Sequence, residues 1–460
     1  MMKKIFLFLF VFSLNANFAD AQQTEPFQKG DRIAFTGNSI TDGGHYHSYI
    51  WLYYMTRFPE RKIQIFNAGI GGDATREMAR RFDLDVLSRK PNRIFLTFGM
   101  NDSGYFEYLQ DNADAFAKER VRVSLENYKV IEKKMQALSG VKNVLMTSSP
   151  YDETTKGRGN FFPNKSRTML EIAAFQEKSA KENNWGFIDL NRSMTVLNLE
   201  GQKQDSTFTL CGGDRIHPDN DGHLVMAYLI LKSQGLAGRE VADIQIDAAR
   251  AAVEKSGNCS ITNLKAGDSG VSFDYLARSL PFPVDTVARG WGGKKNASDA
   301  LKIIPFTEEM NREMLSIKGL KQGSYLLTID GTEIGKWTAA DLNKGINLAL
   351  EVKTPQYRQA ADIMALNEKR WEIERQFRTY SAIQFNFFME RGLLYADDER
   401  ALDTLRKYAH QNPFFGVEFY QTARFKQVRD GWEKQMNELV NIIYSINKPR
   451  KHRIEVLPVE

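Results

Sequence analysis

Four short segments of this chain carry residue types that together could move an acyl group. They are Gly37-Asn38-Ser39-Ile40-Thr41, Asn67-Ala68-Gly69-Ile70-Gly71-Gly72-Asp73, Gly99-Met100-Asn101-Asp102 and Asp214-Arg215-Ile216-His217-Pro218. A serine hydroxyl is a weak nucleophile until an imidazole takes its proton. The imidazole in turn needs a carboxylate to fix its tautomer and steady its cation. Ser39, His217 and Asp214 supply these groups, and the three-residue spacing of Asp214 and His217 suits a tight turn. Attack on a carbonyl builds an oxyanion that needs donors already aimed at it. Gly72 offers a backbone N–H with no side chain in the way, Asn101 its amide and Ser39 its own N–H.

Elements that could position these groups are legible between residues 30 and 238. Short apolar runs at 32–36, 63–67, 93–98, 143–148 and 186–190 read as strands, and longer amphipathic runs separate them. Val121, Leu125, Tyr128, Ile131, Met135 and Leu138 make one apolar stripe on a charged helix. Met169, Ile172, Ala173 and Phe175 open another. The alternation predicts an α/β fold with a mostly parallel five-stranded sheet between helix layers. Three of the four segments follow predicted strands, and ligands of open α/β sheets bind beyond the strands' carboxyl ends.

In order and spacing, the segments resemble the four blocks of the SGNH (GDSL-type) hydrolase family, over roughly residues 30–238. The resemblance implies a flavodoxin-like sheet and an esterase that works without a cofactor. It makes Ser39 the nucleophile, Asp214 and His217 the rest of a triad, and Ser39, Gly72 and Asn101 the oxyanion hole. The family's first block usually has Asp before the nucleophile; this chain has Asn38, which keeps the shape and a hydrogen-bonding oxygen. Thr41 stands where a Gly-x-Ser-x-Gly elbow would end, which disfavours the α/β-hydrolase family.

The rest of the chain changes character. Residues 241–352 hold short alternating segments and turn signals and read as a β-rich accessory domain. Residues 353–460 read as a helical C-terminal region, opened by Thr354 as N-cap and Pro355 at the first helical position. The charged run from Glu368 to Arg378 reads as a solvated helix face. Further candidates for substrate contact are His45 and His47, close after the nucleophile, Tyr151 and Asp152 after the fourth strand, and Trp291 in a Gly-rich stretch. His45 and His47 could also pair as metal ligands, but no third ligand is identifiable, so no metal is expected.

Lys3 and Lys4, an apolar run from residue 5 to 14, and Ala19-Asp20-Ala21 form the three parts of a secretory signal, with cleavage expected near Ala21. That assigns 1–21 to a signal peptide and 22–240 to the catalytic domain, in the periplasm or outside the cell. The apolar run is too short to span a bilayer. The two cysteines, Cys211 and Cys259, would form one disulfide there or remain two buried thiols. A net charge of +5 over 460 residues gives no field suited to nucleic acid.

The expected function is removal of acetyl or other small acyl groups from polysaccharide, the partner being an acylated carbohydrate. A lipolytic esterase or thioesterase keeps the chemistry and changes the substrate. A glycan-binding protein with a vestigial hydrolase domain keeps neither.

Overall fold

Alternation along five short strands divides the N-terminal half into two cores. The computed structural model describes residues 24–157, 159–267, 269–289, 294–408 and 416–459, so the expected signal peptide at 1–21 and Trp291 lie outside the described residues. The strands are Arg32–Gly37 (β1), Gln64–Gly69 (β2), Arg93–Phe98 (β3), Lys142–Thr147 (β4) and Gly186–Ile188 (β5). All pair in parallel, in the order β2-β1-β3-β4-β5. Because side chains alternate across a sheet, Ile33, Phe35 and Phe95 join a core with the helices Tyr46–Arg57 and Asn220–Ser233. Ala34, Ile94, Leu96 and Leu145 pack on the other face with Ala113–Gln136 and Lys165–Glu182. The predicted apolar stripe is buried there through Tyr128, Ile131 and Met135.

Among the described residues, nine further strands form two sheets that share one core. Ala242–Asp247 (β6), Ala252–Gly257 (β7), Glu313–Lys318 (β10) and Ile346–Asn347 (β13) make the first. Cys259–Gly267 (β8), Gly270–Ala277 (β9), Ser324–Ile329 (β11), Thr332–Thr338 (β12) and His452–Val459 (β14) make the second. Helices occupy most of the chain between β13 and β14, and the chain then returns to lie between β9 and β11. Cys211 and Cys259 belong to different regions and are free thiols, which settles the pair as buried and unbridged. Cys211 Sγ donates to the Pro150 carbonyl at 3.1 Å, whereas Cys259 packs into the β-rich core.

The long helix Pro355–Ile383 is capped as expected, Thr354 Oγ accepting the Tyr357 N–H at 3.3 Å. Its charged run is solvated only in part: Lys369 and Glu372 face solvent. Glu368, Arg370, Glu374 and Arg378 are all buried. Glu374 accepts the Asn67 N–H at 2.8 Å and pairs with Arg370 at 2.7 Å. Arg378 grips Asp85 with both Nη atoms, at 2.7 and 3.0 Å, and Arg375 pairs with Asp42. Burial pushes the Asp85 carboxyl up, but Arg378, Arg89 and Arg81 outweigh it and hold the group well below its usual range. Removing one member of such a buried pair strands its partner, at a cost of about 3–5 kcal/mol. These charges therefore fasten the helix against the loops at the sheet's carboxyl edge.

Candidate active site

Since β2 and β3 flank β1 in parallel, their carboxyl ends open side by side, and three of the four segments meet there. The first is a single helical turn, Ser39–Asp42, capped by Asn38 Oδ1, which accepts the Ile40 N–H at 3.0 Å. A neutral amide thus does the capping that the residue before Ser39 must do. As first residue of the turn, Ser39 keeps an N–H without an intrahelical partner. Its Oγ lies 2.8 Å from His217 Nε2, and His217 Nδ1 lies 2.6 Å from Asp214 Oδ2.

Asp214 also shapes the loop it sits on. Its Oδ1 accepts the backbone N–H groups of Ile216 and His217, both at 2.9 Å. Burial raises the carboxyl's pKa, yet the bonds to His217 and the loop outweigh it and hold the group below its usual value. An ionised Asp214 places the imidazole proton on Nδ1 and leaves Nε2 to accept from the serine hydroxyl, a tautomer assigned from this network. The chain of three groups can pass a proton from Ser39 to His217.

Gly72 has a φ of +85°, a backbone that favours glycine, and no neighbour lies within 4 Å of where a Cβ would stand. Asn101 is oriented from both ends of its amide. Tyr105 donates its hydroxyl to Asn101 Oδ1 at 2.5 Å, and Nδ2 donates to the Asp73 carbonyl at 2.9 Å, leaving one amide hydrogen. Beneath the loop, Asp102 accepts from Thr75, Gly99 and Ser124, and the buried Lys165 donates to Met100, Ser103 and Gly104. Asn386, from beyond the long helix, reaches Asp73 Oδ1 at 3.2 Å and steadies the turn that carries Gly72.

The other candidates separate clearly. His45 does line the cleft at Ser39, but it is fully buried, stacked on Trp371 at 4.0 Å and bonded to Glu368 at 3.1 Å. His47 is a support: its Nε2 meets the Thr41 carbonyl at 3.1 Å, under the nucleophile's turn. Tyr151 and Asp152 are also corrected. Both are buried; the Tyr151 hydroxyl is spent on Asn160 and Phe162, and Asp152 on Thr154, Thr155 and Gln202. Their loop braces the Asp214–His217 segment instead, because Arg215 donates to the Asp152 and Thr155 carbonyls. Two cleft residues with titratable side chains were not among the sequence candidates, His223 and Arg289. Among the described residues, no three His, Cys, Asp or Glu side chains gather as a metal site.

His47 gives the fold an acid-sensitive element. Burial, more than any neighbouring charge, lowers its pKa from 6.5 to about 4. Between those values the unfolded chain binds a proton that the native imidazole refuses, so stability falls as pH falls through this window. The expected contribution is about 3 kcal/mol. Urea unfolding at neutral pH and near the lower end of the window should show a smaller acid loss for His47→Gln than for the wild type. Equal losses would remove His47 from the account.

Comparison with known proteins agrees with this geometry. Residues 35–225 match the model of the GDSL-like lipase/acylhydrolase family, and 361–448 match that of a diltiazem deacetylase C-terminal helical domain. The structure of a gut microbial diltiazem-metabolizing enzyme is 49% identical, with a TM-score of 0.94, covering 95% of this chain and 100% of that one. An acetylxylan esterase of Geobacillus stearothermophilus is 26% identical over 223 residues, covering 45% of this chain and 94% of that protein. An uncharacterized lipoprotein of Bacillus subtilis is 30% identical over 172 residues, 36% of this chain and 66% of that protein. With its blocks in order at the edge of a parallel sheet, and a relative alike from end to end, this chain belongs to the SGNH (GDSL-type) family of ester hydrolases.

Proposed function

We propose that this esterase removes acetyl groups from hydroxyl-bearing substrates, acylated carbohydrate above all, through an acyl-Ser39 intermediate. The observation that carries the reading is the hydrogen-bonded chain Ser39–His217–Asp214. His217 takes the Ser39 proton as Oγ attacks the ester carbonyl. The oxyanion is met by the N–H groups of Ser39 and Gly72 and the free amide hydrogen of Asn101. His217 then gives its proton to the leaving alcohol, and afterwards activates the water that releases acetate and frees Ser39. Asn101→Ala is expected to lower kcat by about 100- to 1000-fold with a smaller change in KM, since the bond tightens as the oxyanion forms. Steady-state kinetics on p-nitrophenyl acetate check this.

The acetyl group is inferred from the comparisons, which name a diltiazem deacetylase and an acetylxylan esterase. We also propose that residues 1–21 direct export. Among the described residues no helix is long and apolar enough to cross a membrane. Hydrolysis of p-nitrophenyl acetate, butyrate and octanoate tests the acyl preference. Rates that fall with chain length support the proposal; preference for octanoate would transfer the enzyme to the lipolytic class.

A further inference from the structure

The cleft beside Ser39 has a direction. His217, His45, His223 and Arg289 line it, whereas Gly72 and Asn101 do not. An ester bound for attack turns its carbonyl oxygen towards the oxyanion donors and its leaving oxygen towards the imidazole that will protonate it. A cleft on the His217 side of the serine is therefore the place for the alcohol half of the substrate.

Two groups in its wall hold unspent hydrogen-bonding capacity. Arg289 arrives from the connection after β9 and is fixed at its near end. Its backbone N–H donates to Asn220 Oδ1 at 2.7 Å, and its Nε donates to the buried Asp285 at 2.7 Å. Its Nη atoms make no hydrogen bond among the described residues, and 31% of the side chain is exposed. His223 is only 6% exposed, and its Nδ1 is buried without a hydrogen-bond partner among the described residues. Gly44 makes room for this ring, since a Cβ there would lie 2.4 Å from His223 Cε1. Burial, reinforced by His45, His47 and His217, holds the His223 pKa well below its usual value, so the ring is neutral. A neutral imidazole offers one donor and one acceptor, and the guanidinium offers donors only.

The charge balance narrows the ligand. Asp285 at 2.7 Å and Glu368 at 3.7 Å set two carboxylates against the one guanidinium, so a further anion is not favoured. Donors from Arg289 and the two-way imidazole suit neighbouring hydroxyls on an uncharged ring. We infer that Arg289 and His223 form the subsite for the leaving alcohol, and that this alcohol is neutral and hydroxyl-rich, a sugar rather than a uronate. The inference rests on the proposed esterase function and adds the residues that select its substrate.

The test uses the full mature chain, with Arg289→Ala and Arg289→Lys, on three acetate esters. These are p-nitrophenyl acetate, a mono-O-acetylated methyl xyloside and a mono-O-acetylated methyl glucuronoside. For the wild type, kcat/KM should favour the xyloside over the glucuronoside. In Arg289→Ala, the ratio of kcat/KM for the xyloside to that for p-nitrophenyl acetate should drop about 10- to 100-fold, mainly through KM. Arg289→Lys should recover part of the loss, and thermal melts identify a variant that has merely lost its fold. An unchanged ratio in both variants overturns the inference. So does a wild type that cleaves p-nitrophenyl acetate but spares the xyloside or prefers the glucuronoside. A wild type inactive on every ester would overturn the proposed function itself, and the inference with it.

Discussion

Ser39→Ala should lower kcat on p-nitrophenyl acetate by about a million-fold, leaving only what binding and the oxyanion donors achieve without a nucleophile. The size follows from the geometry. Ser39 Oγ is the hydroxyl set 2.8 Å from His217 Nε2, and the imidazole and carboxylate act only through it. Little of the fold depends on that oxygen, because the turn at Ser39–Asp42 is held by the Asn38 cap, by Asp42 and by backbone bonds. A thermal melt beside the assay separates lost chemistry from lost structure. A drop of less than about 100-fold would place the chemistry elsewhere.

Asp214→Asn should cost about 10,000-fold in kcat, and for a different reason. The amide can still accept the N–H groups of Ile216 and His217 with its oxygen, as Oδ1 does now. That leaves its NH2 facing His217 Nδ1, where a donor stabilises the wrong tautomer and turns Nε2 into a donor towards Ser39. The loop survives and the proton acceptor does not. KM should change little, since Asp214 does not line the cleft. A loss below about tenfold would show that His217 holds its tautomer without this carboxylate.

What was legible in the sequence follows from how local each signal is. The chemistry demands fixed residue types, so Ser39, Gly72, Asn101, Asp214 and His217 stood out as candidates within four short segments. The sheet was legible because Ile33, Phe35, Ile94 and Leu96 follow strand patterning, and the helix Ala113–Gln136 because its buried residues recur at helical spacing. The misread positions depend on partners far along the chain. Arg378 looks solvated until Asp85, 293 residues away, is beside it. Tyr151 and Asp152 looked available because a loop after a strand points towards the site, while the loop folds back on them: Asn160, Phe162, Thr154 and Thr155 of the same connection, with Gln202 from a helix, consume their polar atoms. His223 was hidden in the apolar run of its helix, Asn220–Ser233, although a lone imidazole among such neighbours was a signal. β14 alternates through Ile454 and Val456, but only its place between β9 and β11 makes it a strand of that sheet.

The central claim is that acyl groups pass through Ser39. A fluorophosphonate mimics the tetrahedral intermediate and bonds only to a serine whose proton is being removed. Incubating the protein with the reagent, following activity, and mapping the modified peptide by mass spectrometry tests the claim directly. The account predicts one label per chain, on Ser39, gained in step with the loss of esterase activity and absent from Ser39→Ala. Inactivation with the label on another residue, or full activity in a chain labelled at Ser39, would contradict it.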